Sequence, residues 1–382
     1  MGGAVPDLGV LERRAAWSAV RNVLAVRLDA MGDVLMTTPA FRAIRESVPD
    51  ARLTLLTSPG AVDVAACIPE LDAVIAHDVP WMKATAPRTD PGPDLAFIER
   101  LREARFDAAI VFTVHSQDPL PAALTCWLAG IPLRLAHCRD NPYQLLTDWV
   151  RDPEALEPQR HEVRRQLDLV ATVGYTTEDV HLSLRVPPDA SRRVRSMVAA
   201  LGLGFGAGER WAVLHPGATA ASRRYPPERF AAAARTLAVE DGWRFLVTGS
   251  PGEAAVADEV VRGIGGAATS LAGRLSFGEL AALIAIAPVL ITNNTGPAHM
   301  AAAVGTPVVD VYALTNLQHA PWAVRHRLVV HDVPCRGCRK SVCPLGHNAC
   351  LTSIEPDEVV AATRELVGGT RTPADDAVLA AL

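Results

Sequence analysis

Short apolar runs, each ending in a small or polar turn ahead of a helical stretch, recur along this chain, and nothing else in it constrains the fold as strongly. In the first half, residues 23–28 form a run rich in β-branched residues; a turn at 29–32 follows, then a helical stretch over 34–46. Residues 53–56 form the next run, ending at Ser58-Pro59-Gly60, and 73–76 and 108–114 are further ones. In the second half, 211–214 ends in His215-Pro216-Gly217 ahead of a helix over 230–239. Residues 245–247 end in a turn over 248–252, 289–291 in a turn over 292–295, and 308–311 form a fourth run. Mostly apolar strands separated by helices predict parallel sheets covered on both faces. Ligands bind beyond the carboxyl ends of such strands, so the turns of the second half are candidates for one shared site.

The 382 residues suffice for two domains with cores of their own. With 49% hydrophobic and 21% charged residues the composition is globular, and a formal charge of -5 argues against a nucleic-acid partner. Basic residues are nearly all arginine, with lysine only at Lys83 and Lys340. No apolar run approaches the roughly 20 residues that span a bilayer. Residues 1–22 include Glu12, Arg13 and Arg14 and no apolar core, so they read as a frayed lead-in rather than a secretory signal. A cytoplasmic protein is expected, with peripheral contact at the inner face of a membrane left open.

Pro80, Pro87, Pro91 and Pro93 mark 80–94 as a loop. Residues 160–174 read as an amphipathic helix with Val163, Leu167 and Val170 on one face. Residues 186–208 hold Pro187-Pro188, a short arginine-rich helix, and Gly202, Gly204, Gly206 and Gly208, which suits a linker between domains. No Walker-type loop occurs, and no G-x-G-x-x-G follows the first strand, which weighs against ATPase and dehydrogenase chemistry.

The turn Asn293-Asn294-Thr295-Gly296-Pro297-Ala298-His299 opens an alanine-rich helix. A helix start offers unpaired N–H groups and partial positive charge, a natural seat for phosphate. Thr295 suits a cap, Gly296 lets a ligand approach the backbone, and Pro297 suits an early helical position. An ordinary capped helix without a ligand reads the same way from these residues alone.

The segment Leu28-Asp29-Ala30-Met31-Gly32-Asp33-Val34-Leu35-Met36-Thr37-Thr38-Pro39-Ala40 resembles the N-terminal motif of glycosyltransferase family nine, which contains the ADP-heptose:lipopolysaccharide heptosyltransferases. Residues 215–226 and 293–299 resemble the family's donor-side motifs, 305–309 the segment that follows, and 160–174 its mid-chain motif. The matches run in the family's order from about residue 23 to about residue 360. The resemblance implies an α/β GT-B fold: two facing Rossmann-like, doubly wound domains with an interdomain cleft. It assigns 23–185 to an N-terminal acceptor domain and 209–354 to a C-terminal nucleotide-sugar domain. Residues 355–382 would supply a helix that packs back on the first domain, and a tail.

The implied activity is inverting transfer of a sugar, heptose from ADP-heptose, to a hydroxyl of a glycan acceptor such as lipopolysaccharide core, or of a small molecule. No catalytic cofactor is expected. Asp33 is the implied base, Arg223 the implied cation on the leaving diphosphate. Removal of the acceptor proton suits a carboxylate, and a fixed cation stabilises departing charge. By residue type alone Asp33 also suits a helix cap, and Arg223 a solvated loop. His215, Gly217, Ser222, Arg224, Glu253, Asn294, Thr295, Gly296 and His299 are the donor-binding candidates. Asn294 stands where the family usually has aspartate, and asparagine keeps an acceptor oxygen but no charge. Glu253 equally suits a first-turn carboxylate, and His299 a core histidine. Gly32, Arg160, His161 and Arg164 are acceptor-side candidates. A nucleotide-sugar epimerase of the same fold and a non-catalytic sugar-nucleotide-binding protein are the alternatives.

Cys335, Cys338, Cys343 and Cys350 crowd into a Cys-x2-Cys-x4-Cys-x6-Cys pattern, with Gly337 and Gly346 allowing tight turns. Four thiolates suit a closed structural zinc or iron site, with His347 an alternative ligand. Free thiols and disulfides are the other readings.

Overall fold

The computed structural model describes residues 8–83, 85–152, 160–205 and 208–368. Residues 1–7, Gly206 and the tail 369–382 lie outside it, with the expectations placed on them. The chain divides into two compact units between Ser183 and Leu184.

The first unit holds strands β1 (Asn22–Val26), β2 (Arg52–Thr57), β3 (Ala73–Ala76), β4 (Ala108–Val111), β5 (Leu133–Cys138) and β6 (Asp148–Arg151), ordered β3-β2-β1-β4-β5-β6. Every pairing is parallel; Val23 lies opposite Leu53 on one side and Ala108 on the other. The central strands are apolar on both faces, because helices cover both. Leu24, Val26, Ala109 and Val111 join Phe97, Leu101, Phe106 and Cys126 in one core.

The second unit holds β7 (Trp211–His215), β8 (Arg244–Val247), β9 (Ala268–Ser270), β10 (Leu290–Asn293), β11 (Val308–Val311) and β12 (His326–Val329), ordered β12-β11-β10-β7-β8-β9. Counted from its own first strand this is the same all-parallel order as in the first unit. In both, winding reverses beside the first strand: at β1/β4 and at β7/β10. That is where open α/β sheets leave a crevice for ligands.

Three expectations are corrected. The lead-in over 1–22 contains a helix, Leu8–Ser18. Trp17 at its end is fully buried, its indole donating to Asp148 (3.0 Å), while the Tyr175 hydroxyl donates to its carbonyl (2.7 Å). Burying such a side chain is worth about 1.5–3 kcal/mol, enough to tie down a short helix. The arginine-rich helix expected in the linker over 186–208 is present as Pro188–Ala200, but it belongs to the second unit, packing on the helix Phe277–Ile286 through Ala190, Val194 and Val198. The helix Pro356–Gly368, expected to pack back on the first domain, lies on β11, β12 and the helix Pro227–Asp241 of its own unit. Val359, Val360 and Leu366 are part of that unit's core.

Candidate functional site

In the first unit the turn after β1 runs straight into the helix Met31–Ser47. Its cap position is Ala30, and Asp33 lies inside the first turn, so Asp33 is not the cap. Its carboxylate is held from below by Arg27, the residue that closes the β1 run. Arg27 is fully buried and meets three carboxylates: Asp29 at 3.1 Å, Asp33 at 3.3 Å and Glu162 at 3.0 Å. Burial alone would lower its pKa, but the three carboxylates outweigh burial and keep it charged. The Asp33 side chain keeps 20% exposure, whereas Glu162 has none. Asp33 therefore combines a fixed position with access from solvent, as a base requires.

Glu162 and Gln166 stand one turn apart on the helix Glu162–Ala171. Gln166 donates to Glu162 (2.6 Å) and to the carbonyl of Thr113 after β4 (3.0 Å). Arg165 also reaches the Thr113 carbonyl, and pairs with Asp152 at 2.6 Å. This face of the mid-chain helix braces the β1 and β4 turns. The expected acceptor residues lie elsewhere on it: Arg160 pairs with Asp168 at 2.9 Å, His161 caps the helix by accepting from the Val163 amide, and Arg164 is exposed. Gly32 is buried in the first turn of the Met31–Ser47 helix. Arg27 does not stand out in the sequence because a lone arginine closing an apolar strand looks like the edge of a loop, and Glu162 and Gln166 because polar residues on an amphipathic helix look solvated.

In the second unit Asn293, at the end of β10, ties three segments together. Its side chain accepts from the Tyr225 amide (3.0 Å) and donates to the carbonyls of Pro216 (2.7 Å) and Gly217 (3.4 Å). Thr292 donates to the carbonyl of His215 (3.1 Å). The β7 turn, the Arg223 segment and the helix Gly296–Val304 are thereby gathered at one end of the sheet. Thr295 is that helix's cap residue, but its hydroxyl donates backward to the Asn293 carbonyl (3.3 Å) and makes no cap bond. Gly296 and Pro297 open the helix; Pro297 carries no N–H and the Ala298 amide donates to the Thr295 carbonyl (3.0 Å), which leaves the Gly296 amide to face a ligand. Gly305, at φ +79°, ends it in the left-handed conformation.

His215 is buried, with Nδ1 3.0 Å from the Thr248 hydroxyl and Nε2 3.9 Å from Glu253. Burial lowers its pKa, against the pull of Glu253. Glu253 accepts from the Ser250 amide and hydroxyl, each at 2.8 Å, so it caps its helix while bordering His215. A Cβ on Gly217 would stand 2.2 Å from a Glu253 carboxylate oxygen, so a larger residue there requires that carboxylate to move. Asn294 is buried and accepts from the Ala313 amide (3.3 Å). His299 is buried in the helix, edge-on to His319 with ring centres 6.5 Å apart.

The Arg223 segment divides its labour. Ser222 is buried, with its hydroxyl on the Lys340 carbonyl (2.6 Å) and its amide on Ser341 (3.1 Å). Arg224 donates to the carbonyls of Ala218 (2.7 Å) and Thr219 (3.3 Å). Both expected donor residues thus have side chains engaged in holding the turn. Arg223 lies close enough to Asp310 on β11 to oppose the rise that burial imposes on that carboxyl. Asp310 is fully buried, and neither oxygen has a hydrogen-bond partner among the described residues.

All seven cysteines are free thiols. Cys335, Cys338, Cys343, Cys350 and His347 border one small pocket. Among the described residues no three His, Cys, Asp or Glu side chains converge closely enough to hold a metal ion, and no helix is long and apolar enough to cross a membrane.

Two Rossmann-like units of one all-parallel strand order are the architecture of the α/β GT-B fold. Residues 95–349 match the family model described as glycosyltransferase family 9 (heptosyltransferase). The chain belongs to that family and is a glycosyltransferase. It is 25% identical over 303 residues to lipopolysaccharide heptosyltransferase 3 of Escherichia coli, covering 76% of this chain and 84% of the relative. In structure it is similar to a family 9 glycosyl transferase from Veillonella parvula (TM-score 0.73, 18% identity, 92% and 98% of the two chains). It is also similar to ADP-heptose lps heptosyltransferase II of E. coli (TM-score 0.69, 21% identity, 91% and 98%). Family membership decides against the epimerase and the non-catalytic readings.

Proposed function

We propose that this enzyme is an inverting heptosyltransferase that moves heptose from ADP-heptose to a hydroxyl of a lipopolysaccharide core acceptor. The names of its relatives support the donor and acceptor class. The single observation that carries the mechanism is the placement of Asp33: first helical turn, partly open, fixed by a buried guanidinium. The first unit supplies the base and binds the acceptor; the second binds the nucleotide sugar.

Asp33 takes the proton of the acceptor hydroxyl as that oxygen attacks the anomeric carbon. The bond from that carbon to the diphosphate breaks, and ADP departs with the electron pair. Direct displacement inverts the anomeric configuration. Charge growing on the diphosphate is met by the Gly296–Val304 helix start and by Arg223. His215, Gly217, Glu253, Asn294, Thr295 and His299 shape the surrounding donor pocket. No step calls for a metal ion. A lipopolysaccharide precursor is anchored in a bilayer, so the same reading puts the enzyme at the inner membrane face by surface contact. Asp33→Asn should keep ADP affinity within about twofold and lower kcat by roughly 10²–10⁴, the usual worth of a general base. Near-normal turnover by this variant would remove Asp33 from the role.

We further propose that the cysteine-rich segment takes a structural zinc or iron ion. The donor set suits either metal in kind, and all four sulfurs border one pocket, although they are not gathered to ligand spacing. The Cys343 thiol is pulled down by the backbone N–H groups of Asn348, Leu345, Gly346 and His347, a setting that favours a thiolate. Bound there, the metal would cross-link the segment. Elemental analysis of anaerobically purified protein should find one equivalent of metal, lost in a Cys338→Ser/Cys343→Ser double variant; metal-free protein would refute the site.

A further inference from the structure

The first unit contains a crevice of about 410 Å³ beyond the ends of β1 and β4, where its winding reverses. Its walls are mostly apolar, with Trp81, Met82 and Phe112 among them. Asp29, Gln117 and Asp118 are its polar groups of interest. Gln117 donates to Asp29, and Asp29 shares Arg27 with Asp33, so the crevice adjoins the proposed base. This volume lies within the range of small-molecule sites, roughly 300–1,000 Å³.

The chemistry of the walls selects the occupant. Trp81 is half-buried and braced against the core of the unit, leaving an aromatic surface on the crevice. Two carboxylates line it against one cation, Lys83. The guanidinium behind it already faces three carboxylates. A phosphate or carboxylate would meet like charge here, whereas a sugar ring offers a C–H face to the indole and hydroxyls to the carboxylates and amide.

We propose that this crevice is an acceptor subsite for an uncharged sugar ring, with its apolar face on Trp81 and its hydroxyls toward Asp29, Gln117 and Asp118. The proposal rests on reading the first unit as the acceptor side. It adds that the sugar next to the attacked hydroxyl is neutral, even where the acceptor as a whole is anionic. Specificity for that sugar then lies in the Trp81 loop and the Gln117-Asp118 turn, not in the arginines of the mid-chain helix.

Saturation-transfer NMR on the full-length enzyme tests this with methyl α-glucopyranoside and glucuronic acid as probes. Transfer is expected to the ring C–H protons of the glycoside and to be at least fivefold weaker for the acid. Trp81→Ala should abolish it, Trp81→Phe should restore most of it, and ADP affinity, measured separately, should stay the same in both. Equal or stronger transfer to glucuronic acid, no transfer to the glycoside, or an unchanged signal in a folded Trp81→Ala protein would each overturn the proposal. Asp33→Asn separates it from the mechanism above. If that variant stays active while Trp81 still governs glycoside binding, the base assignment falls and the subsite stands. If it is inactive while Trp81→Ala binds the glycoside normally, the reverse holds.

Discussion

At the scale of single residues, Arg27 is the most consequential side chain that the sequence pattern hid. From a fully buried position its guanidinium meets Asp29, Asp33 and Glu162 together. Removing one member of a buried ion pair typically costs about 3–5 kcal/mol, because the partner charges remain. Arg27→Met should therefore destabilise the first unit by about that amount and shift the pH–rate profile of whatever turnover survives. Denaturant unfolding with kinetics against pH checks both; an unchanged profile would show that Arg27 does not govern Asp33. What could be read in advance was the strand-turn-helix order: Thr295 precedes the helix that Gly296 opens, although Asp33 lies inside a helix that starts at Met31, earlier than expected. What could not be read was direction. Ser222 and Arg224 turn out to grip carbonyls of their own unit, a fact fixed by packing that no linear spacing encodes.

At the scale of elements, Gly217 in the turn after β7 leaves space for the carboxylate of Glu253. Gly217→Ala forces that carboxylate to swing away and gives up its bonds to Ser250. Loss of such a cap costs about 1 kcal/mol, and, if the donor binds as proposed, the displaced side chain would disturb its pocket. Weaker ADP binding and a stability loss of about 1–2 kcal/mol are expected. Adding Glu253→Ala should return most of the ADP affinity, and strict additivity in the double-mutant cycle would count against this account. The elements themselves were legible where strands were apolar and bounded by glycine or proline. β12 was not, since His326 and Arg327 make up half of it. The helix Phe277–Ile286 also went unread, because its apolar residues run nearly all round with no polar face to set a period. Its start was written all the same, in Ser276 and Glu279, which form a reciprocal cap.

At the scale of the whole molecule, the buried carboxyls set the response to acid. Burial pushes Asp29 up to about 6 against the pull of Arg27, and raises Asp310 well above its ordinary value. A group raised in the fold adds stability below its unfolded pKa, near 4, and that contribution is lost as pH climbs through the folded value. Glu279, held down to about 2 by the Ser276 amide and Arg193, works the other way: its stabilisation is complete above about 4 and disappears toward 2. Thermal stability should thus be greatest near pH 4 and decline as pH rises from there through 6. Asp310→Asn should flatten the decline of the second unit's transition, gaining about 1–3 kcal/mol at neutral pH. A gain that is the same at pH 4 and pH 7 would refute the titration of this carboxyl as its source.

The two bonds from Ser222 to residues 340 and 341 have an outcome of their own. They fasten the thiol-rich loop to the strand of chain that carries Arg223, one residue away. If Arg223 meets the leaving diphosphate as proposed, oxidation or alkylation of those sulfurs is not a remote injury: it would tug on the segment that carries Arg223 and be read out as slower sugar transfer.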